Sequence, residues 1–171
     1  MGLYETLPYE VLEQHGHIEL RKYDDFLLAS TKTSPNKYGD SGFNNVFNYI
    51  TGQNDKKEKI SMTTPVVTYE EDETLVTGFY VPSKYDKDNV PKPTGGRVFI
   101  DENKQSLYLV IRFRGNWTPE NYEKHDRILL DFIEEHGYEK TSSRLVFRYQ
   151  PPMIPGVFRR NEIAYRVNPK Q

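Results

Sequence analysis

The 171-residue chain contains no cysteine. That excludes disulfides, thiolate-bound zinc, iron–sulfur clusters and a cysteine nucleophile. No run approaches the ~18 consecutive apolar residues of a membrane-spanning helix. Charge of one sign is not in excess, since 23 Lys+Arg stand against 25 Asp+Glu for a formal net charge of −2. Nucleic-acid binding needs a basic surface, and this composition gives no reason to expect one. The chain does not open with a basic segment followed by an apolar run, so no secretory signal is expected and the sequon Asn116-Trp117-Thr118 would be silent. Met1-Gly2-Leu3-Tyr4-Glu5-Thr6 matches the bare myristoylation pattern but lacks a second anchoring signal, and a single acyl chain anchors only marginally. Also missing are G-x-S-x-G, a P-loop, G-x-G-x-x-G and any carboxylate pair that the sequence alone can place across a substrate. The expectation is a cytoplasmic, non-catalytic protein, taken as a monomer.

What the chain does have is aromatic bulk. Thirteen Tyr, nine Phe and one Trp supply large buriable surfaces. Two segments read as helices. Over Ser41 to Ile50, Phe43, Val46, Phe47 and Ile50 fall at i, i+3, i+4 and i+7, with Asp40 or Ser41 as cap and Gly52 at the exit. From Pro119 to His136, Thr118 caps, Pro119 opens, Glu120 and Glu123 complement the dipole and Gly137 ends the helix. Its apolar stripe is Tyr122, Leu129, Phe132 and Ile133, with Ile128 beside it.

The remaining segments read as strands: His17 to Thr33 with an irregularity at Asp24-Asp25, Lys59 to Tyr69, Leu75 to Val81, Arg97 to Ile100, Leu107 to Arg114, Arg144 to Tyr149, and Asn161 to Val167. Asp101 to Gln105 reads as a hairpin connection. Leu107, Leu109, Ile111 and Phe113 should face one way, and Tyr108, Val110, Arg112 and Arg114 the other. The order strand, helix, strand, strand recurs in the two halves, about 9–81 and 97–167, joined by the Pro- and Gly-bearing segment Pro82 to Gly96. The expected class is α+β: an antiparallel sheet, partly curled, with two flanking helices.

Four histidines invite a metal reading. His15-x-His17 could share one strand face, but Gly16 between them suggests a turn and no third ligand is evident. His125 lies on the helical stripe, where a partly buried ring bonded to backbone is the commoner outcome, and His136 reads as a helix-end cap. Glu70 to Glu73 lacks the spacing of a calcium loop. The Pro-rich loop from Gln150 to Phe158 is more suggestive. Met153, Ile154, Val157 and Phe158 would form an apolar rim with Arg159 and Arg160 beside it, a composition suited to a flat, apolar, anionic ligand. The alternative is that one of these arginines simply pairs with Glu162 or another acid.

At these residues the chain resembles the SOUL family of heme-binding proteins. The resemblance rests on Tyr9-Glu10-Val11-Leu12, Ile18-Glu19-Leu20-Arg21-Lys22-Tyr23, Tyr49-Ile50-Thr51-Gly52-Gln53-Asn54, Lys59-Ile60-Ser61-Met62-Thr63-Thr64-Pro65-Val66, Phe79-Tyr80-Val81-Pro82, Pro151-Pro152-Met153 and Arg159-Arg160-Asn161-Glu162-Ile163. It implies one domain over 1–171, made of two βαββ pseudo-repeats in a distorted eight-stranded barrel with two flanking helices. It also implies tetrapyrrole binding, heme above all, in an open apolar groove. That groove would take Phe43 and Phe47 from the first helix and Met153 and Ile154 from the loop, with Arg159 or Arg160 meeting a propionate. Where one branch of the family carries a proposed axial histidine, this chain has Lys22, a poor ligand while protonated, which leaves the axial ligand open. The rival uses of such a groove are another hydrophobic small molecule or the helix of a protein partner.

Overall fold

The computed structural model of the protein describes residues 4–34, 42–151 and 153–171. In chain order its elements are β1 (Glu5–Thr6), β2 (Glu10–His15), β3 (Ile18–Tyr23), β4 (Phe26–Thr33), α1 (Gly42–Ile50), β5 (Thr63–Thr64), β6 (Val66–Glu71), β7 (Thr74–Tyr80), β8 (Phe99–Asn103), β9 (Ser106–Arg114), α2 (Pro119–Glu135), β10 (Tyr138–Lys140), β11 (Leu145–Arg148) and β12 (Arg160–Pro169). A 3-10 turn, Gly156–Phe158, precedes β12. The fold is α+β with antiparallel ladders, apart from the two-residue parallel pair β1–β5.

Contacts divide the chain into two compact units that do not follow its sequence halves: Met1–Leu7 with Asp25–Lys104, and Pro8–Asp24 with Gln105–Gln171. In the first, the strand order is β6-β7-β4-β8, and α1 packs on β4 and β7. Its core gathers Ala29, Val46, Tyr49, Ile50, Ile60, Phe79, Val81 and Val90. In the second, the order is β2-β3-β9-β12-β11, with β10 also pairing β12. There α2 lies on Ile18, Leu20, Leu109, Ile111, Phe113, Ile163, Tyr165 and Val167 through its own Tyr122, Leu129 and Ile133.

Both helices form where the periodicity puts them. In α2, Thr118 accepts the Asn121 N–H at 3.2 Å, Pro119 opens the helix, and His136 is the C-cap, with Gly137 beyond it at φ +75°. The helix thus ends one residue before the expected His136. In α1, described from Gly42, the buried residues are Gly42, Val46, Tyr49 and Ile50. Phe43 and Phe47 are therefore not core residues. The caps expected at Asp40 or Ser41 lie outside the described residues. Asn54 fixes the exit of α1: its amide donates to the Tyr49 and Glu58 carbonyls, while its oxygen accepts the Lys56 and Glu58 N–H groups.

The strand expectations need correction in four places. The stretch from His17 to Thr33 is not one irregular strand but β3 and β4, which break at Asp24-Asp25 and enter different units. The expected hairpin at Asp101 to Gln105 does not form; β8 pairs β4, and β9 pairs β3 and β12. The two residues between β8 and β9 are Lys104 and Gln105, neither of which favours the positive φ that a two-residue hairpin turn needs. Between β6 and β7, by contrast, Asp72 (φ +47°) and Glu73 (φ +63°) do adopt it, and that acidic turn closes a hairpin. Lys59 to Met62 is not a strand, and the ladder is interrupted at Pro65, which follows a cis peptide bond. β1, β2 and β10 carry no clear alternation or are very short, and the sequence did not reveal them.

Candidate functional site

The described residues present two exposed apolar surfaces and one buried ionic network. The first is a flank of α1. Phe43 is 46% and Phe47 47% exposed, and they lie one helical turn apart with ring centroids 6.0 Å apart and planes inclined by 16°. Phe43 also meets Phe79 edge-on at 5.6 Å, which ties the pair to β7. This spacing follows from the i, i+4 relation on a helix. The result is an exposed pair of near-parallel aromatic rings on a helix anchored by Val46, Tyr49 and Ile50. On the opposite flank of α1, Asn45 donates to the Thr31 hydroxyl, and a cleft of about 700 Å³ is lined by Thr31, Lys32, Asn45, Arg97 and Phe99. Apart from Phe99 and Gly96, the residues that line the cleft carry polar side chains.

The second surface is the Pro-rich loop. Met153 is 83% exposed, and Val157 and Phe158 are exposed beside it, while Ile154 is half-buried. The loop is held by the Gly115 N–H bonding to the Gly156 carbonyl at 3.0 Å, and by Arg159, whose Nε donates to the Ile154 carbonyl at 2.7 Å. The Arg159 guanidinium also stacks over Trp117 at 4.2 Å. Gly156 has no room for a side chain, because a Cβ there would fall 2.0 Å from the Asn116 side-chain oxygen. Pro152 lies outside the described residues.

The third is a buried ionic network on the face of β3, β9 and β12 away from α2. Alternation places Glu19, Arg21 and Tyr23 on this face, while Ile18, Leu20 and Lys22 turn toward the α2 side. Arg21 has no solvent exposure, nor has Glu162. They form a bidentate pair at 2.7 and 2.8 Å. Arg21 also donates to Glu19 at 2.6 and 2.8 Å and to the Tyr23 hydroxyl at 2.9 Å, and it stacks on the Tyr9 ring at 3.9 Å. Glu162 further accepts from the Tyr149 hydroxyl at 2.7 Å and from Arg160 at 2.9 and 3.1 Å.

Burial alone would raise the Glu162 carboxyl pKa, but the Arg21 hydrogen bond and charge, aided by Arg160, hold it below the usual carboxylate range. Burial would likewise lower Arg21, yet Glu162 keeps its pKa raised above the ordinary arginine value. The Tyr23 and Tyr149 hydroxyls are pushed up, chiefly by burial. The network therefore holds two ionised partners and neutral phenols, with its strongest acceptor already saturated. That is a scaffold rather than a general base.

The expected site residues are drawn from both units. Phe43 and Phe47 share the α1 flank; Met153, Ile154 and Arg159 share the loop. Arg160 takes the pairing left open in the sequence: it binds Glu162 and donates to the Tyr9 hydroxyl at 3.0 Å. Asn161 of the same motif accepts the Trp117 indole N–H at 2.8 Å and donates to the Gly115 carbonyl at 3.0 Å. The sequence missed the network centred on Arg21, although charged residues at i and i+2 within an apolar strand were its visible sign.

Histidine does not gather into a metal site. Among the described residues, no group of three or more His, Asp or Glu could hold a metal ion. His125 bonds through Nδ1 to the Asn121 carbonyl at 2.7 Å and lies flat on Phe113 at 4.0 Å. His136 bonds the Phe132 carbonyl at 3.0 Å, and Gly16 and His17 form the turn after His15.

The motifs quoted for the resemblance now have positions and jobs, and a sequence comparison agrees with them: the SOUL heme-binding protein profile matches residues 4–166. The chain belongs to the SOUL family. Mouse heme-binding protein 2 is 27% identical over 140 residues, covering 76% of this chain and 68% of that protein. Heme-binding protein 1 of Xenopus tropicalis is 28% identical over 160 residues, 88% of this chain and 83% of the relative. These relatives of the SOUL chain are named for binding rather than for catalysis. Among solved structures, the EcmrR C-terminal domain superposes with a TM-score of 0.66 at 12% identity, over 94% of this chain and 98% of that one. A hydrolase from Listeria innocua gives 0.62 at 8% identity, over 92% and 94%. At such identities the likeness is one of fold alone. No helix among the described residues is long and apolar enough to cross a membrane.

Proposed function

We propose that this chain binds heme or a related tetrapyrrole reversibly and without turnover, as a monomeric cytoplasmic carrier, buffer or sensor. The observation that carries the reading is the exposed pair Phe43 and Phe47, whose near-parallel rings offer a porphyrin face an apolar surface on a rigid helix. Covering two half-exposed phenylalanines is worth roughly 1.5–3 kcal/mol in apolar transfer alone. The family and the names of its heme-binding relatives support the ligand class. Met153, Ile154 and Arg159 remain the expected second set of contacts, tested separately by substitution. Arg160 is committed to Glu162, so Arg159 is the better propionate partner of the two. When bound, heme would supply its iron; this chain's residues would supply apolar contact and charge pairing, and the axial ligand is left open because Lys22 stands where one branch of the family carries a proposed axial histidine.

The strand orders also support reading the halves as two copies of one βαββ pattern, since β6-β7-β4 around α1 matches β11-β12-β9 around α2.

The test is a titration with heme and with iron-free protoporphyrin IX, followed by absorbance. Saturable one-to-one binding with a sharp Soret band supports the reading. Equal affinity for both rings means apolar binding without ligation. Non-saturating uptake of heme, with saturable binding of a hydrophobic dye, would hand the surface to another flat apolar molecule, a reading that the lysine at position 22 favours.

A further inference from the structure

The ionic face of the second unit is unbalanced. Arg112 and Arg114 alternate on β9 and so share that face, about 7 Å apart along the strand. Across the ladder Arg112 stands opposite Glu162, and Arg114 stands opposite Arg160. Like charges directly opposed on neighbouring strands are destabilising. Glu162 cannot neutralise them further. Its two oxygens already accept from Arg21, Tyr149 and Arg160, and Arg112 is left at 3.6 Å, outside hydrogen-bond range. Neither the Arg112 nor the Arg114 guanidinium makes a hydrogen bond among the described residues. Around Glu162, four cations, Arg21, Arg112, Arg114 and Arg160, thus face two carboxylates, Glu19 and Glu162, while Arg166 lies further along the same face of β12, opposite Tyr108. Arg114 is exposed, and the Arg112 side chain is 43% exposed, so solvent reaches both.

We propose that Arg112 and Arg114 form an acceptor for a ligand carboxylate, with the opposed Arg160 reinforcing the field. Guanidinium is the side chain whose planar fork matches a carboxylate in bidentate geometry. Glu162 is saturated with hydrogen bonds, so the incoming carboxylate meets unused hydrogen-bond donors and competes only with the 3.6 Å ion pair between Arg112 and Glu162. Repulsion between Arg114 and Arg160 is relieved when the anion arrives. The carboxylate has two possible sources, a tetrapyrrole propionate or a free small dicarboxylate. The first rests on the function proposed above; the second does not.

The test compares wild type with the Arg112→Gln/Arg114→Gln double variant, and with Arg114→Gln alone in case the double variant does not fold. Calorimetric titrations use heme and heme dimethyl ester, in which the propionates are blocked, and NMR of arginine Nε–H groups follows addition of succinate. Weakening of heme binding by about tenfold or more, with the ester unchanged, assigns the site to propionate, since a charge-assisted bond is worth that much. Unchanged heme binding, together with succinate shifts in the wild type that vanish in the variant, assigns it to a free dicarboxylate. If the wild type binds no heme, the reading above fails and the succinate arm alone decides. A folded variant indistinguishable from wild type toward heme and succinate overturns the proposal. Arg114→Gln should also raise the melting temperature of the unliganded protein at low salt, and added salt should shrink that gain.

Discussion

The two helix-backed units solve the same packing problem and leave different things at their surfaces. Around α1 the apolar residues exceed what the core can take, so Val46, Tyr49 and Ile50 go inward while Phe43 and Phe47 stay half-exposed. Around α2, Tyr122, Leu129 and Ile133 go inward and Ile128 stays exposed, and the unusual chemistry lies on the other side of the sheet, where Arg21 and Glu162 are buried without exposure. An exposed aromatic surface costs little when altered and is available to a ligand. A buried ion pair is costly to disturb and available to nothing, because every partner is already used. The ionic network is thus expected to govern stability, and the aromatic flank to govern binding.

Disrupting the network should give the largest effect. Arg21→Ala leaves Glu162 buried and unpaired and should cost about 3–5 kcal/mol in urea unfolding, or prevent folding altogether. A loss below about 1 kcal/mol would mean that solvent reaches the pair. Phe47→Asp should do the reverse, weakening heme binding by more than tenfold while the melting temperature stays close to wild type, because the charge lands on a ligand face rather than in a core. Unchanged affinity in the folded variant would move the site away from α1.

Acid should act through the network too. Glu162 has a native pKa below its unfolded value, so its contribution is present above the ordinary carboxylate range near 4 and is lost as pH falls through the lower native value. Glu162→Gln should flatten the acid limb of the stability profile below about pH 4, and an unaltered limb would assign that loss to other carboxylates. Thr118→Ala removes the cap of α2 and should cost about 1 kcal/mol without touching heme affinity. The smallest effect is expected at His125. His125→Ala should leave the Soret band where it is, because the ring is bonded to Asn121 and stacked on Phe113. A displaced band would make that histidine a ligand and break the division between the two regions.

Period and punctuation in the sequence sufficed for several features. Thr118, Pro119 and Gly137 marked α2 almost to the residue, since caps and the positive φ of a terminal glycine are local physics. The alternation of Leu107 to Arg114 gave the two faces of β9, because a strand's period of two needs no neighbour to be read. The family motifs, each a short run between Tyr9 and Ile163, were legible in the sequence as well.

Tertiary structure decided the rest. Which strands pair is set by side chains far apart in sequence: Arg21 meets Glu162 across 141 positions, and no local pattern announces that meeting. The same distant choices split Ile18 to Thr33 at Asp24-Asp25 and paired β8 with β4 and β9 with β3 and β12 instead of folding β8 and β9 into a hairpin. They also settled which apolar residues of α1 face inward, because a 3.6-residue period places residues on a face but does not say how much of that face the sheet can cover.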